Sequence, residues 1–150
     1  MPQSLVKNYI HITFSTKNRY PFIKTSIETE LYAYLAGICK SLECYPVEIG
    51  GFSDHIHILC LLSRKIALMK LVEELKSHSS KWIKTKGNQF RNFYWQNGYG
   101  GFSVNPNELD NVKKYIQMQK AHHKKKTFKE EYWAFLIDFD IEFDENYVWD

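Results

Sequence analysis

Residues 51–60 read GFSDHIHILC, a largely apolar run in which His55 and His57 are separated by one isoleucine. Side chains alternate between the two faces of a β-strand, so residues two positions apart point to the same side. The run therefore predicts a buried strand from which two imidazoles project together, close enough to hold one metal ion. The alternative is that each histidine is a half-buried polar residue hydrogen-bonded to a backbone carbonyl.

Two neighbouring segments predict further strands. Pro46 opens the short run PVEIGG, and the turn FSD leads directly into HIHILCLLS, which predicts an antiparallel hairpin. Nearer the N-terminus, NYIHITFST alternates Ile10, Ile12 and Phe14 with His11 and Thr13, as a strand with one buried face does.

Two helices are predicted around this hairpin. The first starts near Thr25, whose spacing from Glu28 is that of a capping box, and its apolar residues recur at helical intervals through to Leu42. The second presents one apolar face from Leu68 to Ile83.

The second half of the chain predicts a strand and a third helix. The segment FYWQNGYGGFSV, residues 93–104, indicates a strand region with a glycine-rich turn. Asn105, Pro106 and Glu108 then have the positions of an N-cap, a first-turn proline and a capping-box acid, so a helix should run from there toward Lys126. The order of elements predicts an α+β fold, with an antiparallel sheet and helices packed on one face.

The third helix carries three polar residues close together at the border of its apolar stripe. At ~100° per residue they fall within about 60° of one another. They are Tyr115, Gln119 and His122. Such a trio can face a shared pocket, although a helical tyrosine more commonly just buries its ring and exposes its hydroxyl.

Length and composition favour a single domain over residues 1–150. The chain is 44% hydrophobic, enough to build a core without disulfides or structural metal. No run approaches the ~20 apolar residues of a membrane span, and the first residues lack the apolar core of a signal peptide, so we expect a cytoplasmic protein without a membrane partner. The three cysteines, odd in number and without a C-x-x-C pair, argue against a disulfide framework and a zinc ribbon.

Charge is distributed unevenly along the chain. The formal net charge is only +3, yet several lysines and no acidic residue lie between Asp110 and Glu130. A charge run is usually a solvated helix face, but beside histidines and aromatic residues it also suits a phosphate backbone. The tail DFDIEFDENYVWD is acidic.

These motifs together resemble a known family. HIH fits the histidine, hydrophobic residue, histidine motif of the HUH endonucleases. The segment WQNGYGGFSVNPNELDNVKKYIQMQKAHHKKKTFKEEY is similar to the insertion-sequence-200-like transposases, including their repeat-associated domesticated relatives. ITFSTKNRYPF and LKSHSSKWI are similar to that family as well, so the resemblance covers nearly the whole chain.

The resemblance implies an enzyme that cuts and rejoins single-stranded DNA next to a hairpin through a covalent 5′-phosphotyrosine intermediate. Tyr115 matches the nucleophile, His55 and His57 match two imidazole ligands of Mg²⁺ or Mn²⁺, and Gln119 matches the third protein ligand. Family members are dimers on a ferredoxin-like, RRM-like sheet, and the tyrosine helix of one subunit can complete the histidine site of the other. A homodimer is therefore expected, with GYGGFSV near the hinge.

Residues of two kinds are candidates for DNA contacts. The basic candidates, which would follow phosphates, are Lys17, Arg19, Lys76, Lys81, Lys124, Lys125 and Lys126. Trp95 and Tyr99 are candidates for stacking on unpaired bases, and His122 for proton transfer or a phosphate contact. The alternatives are core packing for Trp95 and a solvated surface for most of the lysines.

Two other functions compete with this one. Histidine-triad nucleotide hydrolases carry H-x-H-x-H on a strand, but the next alternate position here is Leu59, which weighs against that class. A domesticated module that binds hairpin DNA without cutting it stays open, because intact site residues do not by themselves establish strand transfer.

Overall fold

The fold is an α+β arrangement built on one antiparallel sheet, and the computed structural model describes residues 2–150. The four strands are β1 (Tyr9–Ser15), β2 (Tyr45–Phe52), β3 (His55–Leu61) and β4 (Gly100–Val104). They lie in the order β2-β3-β1-β4, and each neighbouring pair is antiparallel. The predicted α+β fold class, with its ferredoxin-like strand order, is confirmed, and so is the hairpin formed by β2 and β3.

Five α-helices connect or follow the strands within residues 2–150. They are α1 (Thr25–Ser41), α2 (Leu68–Lys84), α3 (Leu109–Gln117), α4 (Gln119–His122) and α5 (Phe128–Asp138). Short 3₁₀ turns lie at Lys17–Arg19, Asn88–Phe90 and Pro106–Glu108. No helix in this described part of the chain is both long enough and apolar enough to cross a membrane.

The sheet separates two apolar layers. Alternation along β1 directs Ile12 and Phe14 to one face, where they are fully buried with Leu31 of α1 and Leu75 of α2. The apolar stripes of the first two helices predict this larger core. A smaller core forms around Phe102 of β4 on the other face.

The smaller core depends on α5, which the sequence analysis did not predict. Thr127 and Glu130 form a capping box at its start, each side chain accepting the other residue's backbone N–H. Tyr132 and Leu136 are buried and pack with Phe102. Helices α1 and α2 share one face of the sheet as predicted, and α5 adds a layer on the other.

The predicted third helix is shorter than expected. It ends as α3 at Gln117, because Met118 leaves the helical conformation with φ −95° and ψ 14°, and the single turn α4 follows. The chain therefore bends before it reaches Lys126. Asn105 caps a 3₁₀ turn by accepting a backbone N–H, and α3 itself begins at Leu109.

One further local prediction was wrong, and another holds over a shorter range. Lys24 occupies the N-cap of α1, so Thr25 is already helical and does not start a capping box. Only Gly100–Val104 of the 93–104 segment forms a strand, while Trp95 makes an isolated bridge with Thr16. β4 pairs with β1 along its length, so the last five residues of GYGGFSV belong to the sheet. A hinge near this segment stays a prediction.

Helix α3 lies directly on the backbone of β2. Gly50 of β2 pairs with His57, and a Cβ added at Gly50 would lie 2.9 Å from Ile116 Cγ2 and 3.0 Å from the Ile116 carbonyl oxygen. Ile116 is itself buried. The glycine thus permits the close approach that brings α3, with Tyr115, over the histidine strand.

We expect Gly50→Ala to lower the free energy of unfolding by about 1–3 kcal/mol, because the added methyl group overpacks the contact with Ile116. Gly37→Ala is the matched control: Gly37 lies inside α1 with nothing within 4 Å of an added Cβ, so this change should stabilise the protein by about 0.5–1 kcal/mol. Urea denaturation measures both. Equal stability of the two variants would show that α3 does not rest on Gly50.

Candidate functional site

Both histidines of the HIH motif are fully buried. The ring centroids of His55 and His57 are 5.1 Å apart, and both rings approach the same carboxylate, as their common orientation predicts. His11 of β1 lies beside them, with its Nε2 2.7 Å from His57 Nδ1. The sheet therefore presents three neighbouring imidazoles, and the sequence analysis assigned no role to the third.

Tyr115 and Gln119 approach these histidines from α3 and α4. The ring centroid of Tyr115 is 5.8 Å from that of His57. The Oε1 atom of the buried Gln119 is 2.9 Å from His55 Nε2. The residues predicted as nucleophile and ligands thus converge within one chain, without a helix from a second subunit.

A buried carboxylate that the sequence analysis missed lies at the centre of this group. Glu131 of α5 is only 2% exposed, and its Oε1 lies 2.8 Å from His57 Nε2. Its Oε2 accepts from Gln119 Nε2 at 3.1 Å and also from the Tyr115 hydroxyl. His123 Nε2 lies 3.2 Å from the same oxygen. Glu131 therefore links imidazole, amide and phenol groups.

Local sequence signals mark the helix that carries Glu131. The capping box of Thr127 and Glu130 marks its start. Its buried apolar residues recur at helical spacing and are Phe128, Tyr132 and Leu136. Glu131 lies among them, and a buried acid requires a partner. That partner, His57, is 74 residues away, and local periodicity cannot identify it.

Hydrogen bonding fixes the orientation of the His55 ring. Its Nδ1 lies 2.7 Å from Asp54 Oδ1, which can only accept, so Nδ1 carries the proton. Nε2 of the neutral ring then directs a lone pair toward Gln119 Oε1 and Glu131 Oε1, which are also acceptors. These three acceptor atoms repel one another unless a proton or a cation lies between them. A carboxylate behind a coordinating imidazole is common at protein metal sites.

The cluster has the dimensions of a metal site. One potential ligand atom each from His55, His57, His123 and Glu131 lies within 4.8 Å of the others. Ligands bound at ~2.1 Å lie roughly 3–4 Å apart around one ion, so a small rearrangement would close the set on a divalent cation. Three imidazoles and a carboxylate suit first-row transition metals such as Mn²⁺ better than Mg²⁺, which prefers oxygen ligands.

Burial and the Glu131 charge set the protonation of the site. Burial lowers the pKa of His57, which keeps the ring in the neutral form that binds metals. Burial alone would raise the pKa of Glu131, but hydrogen bonds from His123 and His57 outweigh it and hold that pKa well below its usual range. Burial and the nearby carboxylate raise the pKa of Tyr115. The tyrosine is therefore a neutral phenol that faces an ionised acid.

An open cavity of about 320 Å³ adjoins the phenol. Its lining includes Tyr115, His122, Lys126 and Glu131. His122 Nε2 lies 3.4 Å from the Tyr115 hydroxyl, and Lys126 is exposed. A phosphate group entering from solvent would meet the hydroxyl, an imidazole and a lysine, and also the carboxylates of Glu131 and Asp138.

Two of the predicted DNA contacts are structural instead. Lys76 Nζ donates to the backbone carbonyls of residues 96–98 at 2.7–3.0 Å, and burial lowers the pKa of Lys76 to about 8. Trp95 is 7% exposed, its ring packs edge-on against Phe14, and its N–H donates to Ser79. The core-packing alternative therefore holds for Trp95, since a buried ring cannot stack on a base.

The other candidates for DNA contacts lie at the surface or are partly covered. The exposed ones are Lys17, Lys81, Lys124, Lys125 and Lys126. The guanidinium of Arg19 donates to the Trp149 carbonyl, and Tyr99 is half-buried beside Lys76. Their contribution to DNA binding stays a prediction.

Together, the fold and the site define an α+β protein whose sheet holds a candidate divalent-metal centre beside a tyrosine hydroxyl. The family model described as "Transposase IS200 like" matches residues 4–119. The chain belongs to this family of IS200-like transposases, which confirms the resemblance seen in the sequence and places the protein among DNA-cutting transposases. The matched range ends at Gln119, so His123 and Glu131 lie beyond it. No curated protein sequence matches the chain.

Several solved chains match this one, and two of them are transposases with the same fold. One is a candidate transposase from Deinococcus radiodurans R1, with a TM-score of 0.62 and 19% sequence identity, covering 79% of this chain and 98% of that one. The other is a REP-associated tyrosine transposase bound to a REP hairpin, with a TM-score of 0.61 and 14% identity, covering 82% of this chain and 73% of that one.

Proposed function

We propose that this transposase, a single domain over residues 1–150, cuts and rejoins single-stranded DNA beside a hairpin, with Tyr115 as the nucleophile. One observation carries the proposal: the Tyr115 hydroxyl and His57 both bond to the buried carboxylate of Glu131 within the same chain. That arrangement places a potential nucleophile at the edge of a potential metal centre. The hairpin-bound REP-associated transposase with the same fold supports hairpin DNA as the substrate class.

The ligands of the cation would be His55, His57 and Glu131, with Gln119 or His123 completing the set. Mg²⁺ and Mn²⁺ are the candidate ions, and the number of imidazoles favours Mn²⁺. When bound, the ion would neutralise charge on the scissile phosphate and favour ionisation of the nearby phenol. Glu131 and His122 are the groups within reach of the phenol proton.

The chemistry requires one bond to form as another breaks. The Tyr115 oxygen attacks phosphorus, and the 3′ oxygen of the preceding nucleotide leaves and takes up a proton. The product is a 5′-phosphotyrosine with a free 3′ hydroxyl on the other DNA fragment. Because the phosphotyrosine ester keeps the energy of the original bond, the reverse attack by a 3′ hydroxyl can join new ends without ATP.

The test is an adduct assay with the full chain. We expect a hairpin-flanked single strand with Mn²⁺ or Mg²⁺ to give a covalent protein–DNA species that survives denaturing electrophoresis, and EDTA to prevent its formation. A protein that binds the hairpin tightly but gives no adduct with either metal would instead be a hairpin-binding module without strand transfer.

We also propose a homodimer. The sheet leaves β2 and β4 as edge strands, whose unpaired backbone groups can pair with a second chain. The convergence of Tyr115 and His57 in one chain favours catalysis within a subunit over exchange of helices between subunits. Light scattering at working concentrations distinguishes monomer from dimer.

A further inference from the structure

We propose that His11, a buried residue of β1, is a positioning residue that stays hydrogen-bonded to the candidate ligand His57 both with and without a bound cation. The inference rests on the proposed function. The sheet brings the two rings together, because Thr13 pairs with His57 and His11, two residues before Thr13, projects from the same face. His11 Nε2 lies 2.7 Å from His57 Nδ1.

Other rings enclose the His11 imidazole and hold it in place. Its centroid lies 4.9 Å from that of His57, 5.2 Å from that of Phe135 and 6.2 Å from that of Phe102. Burial lowers the pKa of His11 well below its usual value, so the ring is neutral. A neutral imidazole donates from one nitrogen and accepts at the other. His11 Nε2 can therefore take either part in the hydrogen bond with His57.

The two histidines of the HIH motif differ in the group that lies behind them. Asp54 lies behind His55 and can only accept, so it keeps the His55 proton on Nδ1. The group behind His57 is an imidazole, which imposes no such restriction. His57 can therefore carry its proton on either nitrogen and keep its hydrogen bond to His11.

This freedom matters because the partner of His57 Nε2 differs between the two states. Without a cation, Nε2 faces the ionised Glu131 carboxylate at 2.8 Å and has to carry the proton. His57 Nδ1 then accepts from His11. An imidazole nitrogen that binds a cation presents its lone pair to it. The His57 proton then belongs on Nδ1, and His11 Nε2 accepts it.

Both rings stay neutral when the two states exchange. His57 releases the proton on Nε2 and receives the proton of His11 Nε2 on its own Nδ1, while His11 takes up a proton on Nδ1. One proton is released and one is taken up, so the charge of the pair does not change. His11 lines the open cavity beside Tyr115, which gives its ring a route to water. A partner able only to donate, or only to accept, would leave a buried His57 nitrogen unpaired in one state.

The first test measures the Mn²⁺ affinity of the full chain by isothermal titration, without DNA. His11→Phe keeps an aromatic ring but removes both nitrogens, and we expect it to lower Mn²⁺ affinity about tenfold or more. His11→Gln should stay within about threefold of wild type, because its amide reaches the position of Nε2 and offers both a donor and an acceptor. His78→Phe is the matched control. His78 is exposed on α2, where it bonds to Glu74, so this change should leave the affinity unaltered.

The second test uses the wild-type chain, so it does not depend on the folding of any variant. Nitrogen-15 NMR of the imidazoles, with diamagnetic Zn²⁺ as the probe, reports which nitrogen of each ring carries the proton. We expect Zn²⁺ to move the protons of both His11 and His57 from Nε2 to Nδ1. Packing alone would not produce this signature.

Three results would overturn the role of His11. They are wild-type Mn²⁺ affinity in His11→Phe, equal losses in His11→Phe and His11→Gln, and a His11 proton that stays on one nitrogen when Zn²⁺ is added. The adduct assay separates this inference from the proposed function. Tautomer exchange without any wild-type adduct would support His11 and reject strand transfer, whereas an adduct together with wild-type Mn²⁺ affinity in His11→Phe would reject only the role of His11.

Discussion

We expect Tyr115→Phe to abolish the covalent protein–DNA adduct and to leave DNA affinity within about twofold of wild type. The phenol oxygen is the attacking atom in the proposed reaction. Without it the covalent bond cannot form at all, so the reaction is lost and not only slowed. The ring stays in place, because its packing against His57 and Phe135 does not involve the hydroxyl. Denaturing electrophoresis with 3′-labelled DNA detects the adduct, since the fragment joined to the tyrosine carries the 3′ end.

Tyr147→Phe is a suitable control for this experiment. Tyr147 is 68% exposed and lies in the C-terminal tail, so removal of its hydroxyl should leave the adduct at wild-type levels. An adduct that persists in Tyr115→Phe would mean that another residue attacks the phosphate. Loss of hairpin binding in the same variant would mean that the hydroxyl contributes to recognition.

The features that the sequence predicted correctly are those determined by local periodicity. Alternation of Ile10, Ile12 and Phe14 located β1, and the same rule placed His55 and His57 on one face of β3. The order of elements predicted the antiparallel α+β sheet, whereas the ferredoxin-like arrangement of its strands was implied by the family resemblance.

Features that depend on long-range contacts could not be predicted in this way. His11 lies at an alternating polar position of β1, which predicts an exposed side chain. It is buried instead, because His57, 46 residues away, is its hydrogen-bond partner. Met118 ends α3 in a run of good helix formers, and the bend allows Gln119 to reach His55. The sequence also could not predict which of the adjacent residues Tyr94 and Trp95 faces solvent. In the structure Tyr94 is exposed and Trp95 is buried.

Glu131 is the residue on which these long-range contacts converge, and its role leads to the second large effect. We expect Glu131→Gln to lower Mn²⁺ affinity by about 10- to 100-fold and to lower adduct yield in parallel. Glutamine keeps the size of the side chain but removes the negative charge that His57 and His123 face. Its amide also cannot accept on both ends, so either His57 or Tyr115 loses its acceptor.

Isothermal titration with Mn²⁺ measures the binding directly, without DNA or turnover. Glu142→Gln, which removes the same charge from an exposed position, should leave Mn²⁺ affinity and adduct yield unchanged. If Mn²⁺ affinity is unchanged and the adduct is lost, Glu131 acts on the Tyr115 hydroxyl and is not a ligand of the cation. A rise in adduct yield would show that the negative charge of Glu131 opposes the scissile phosphate, since glutamine removes that charge and keeps the shape of the side chain.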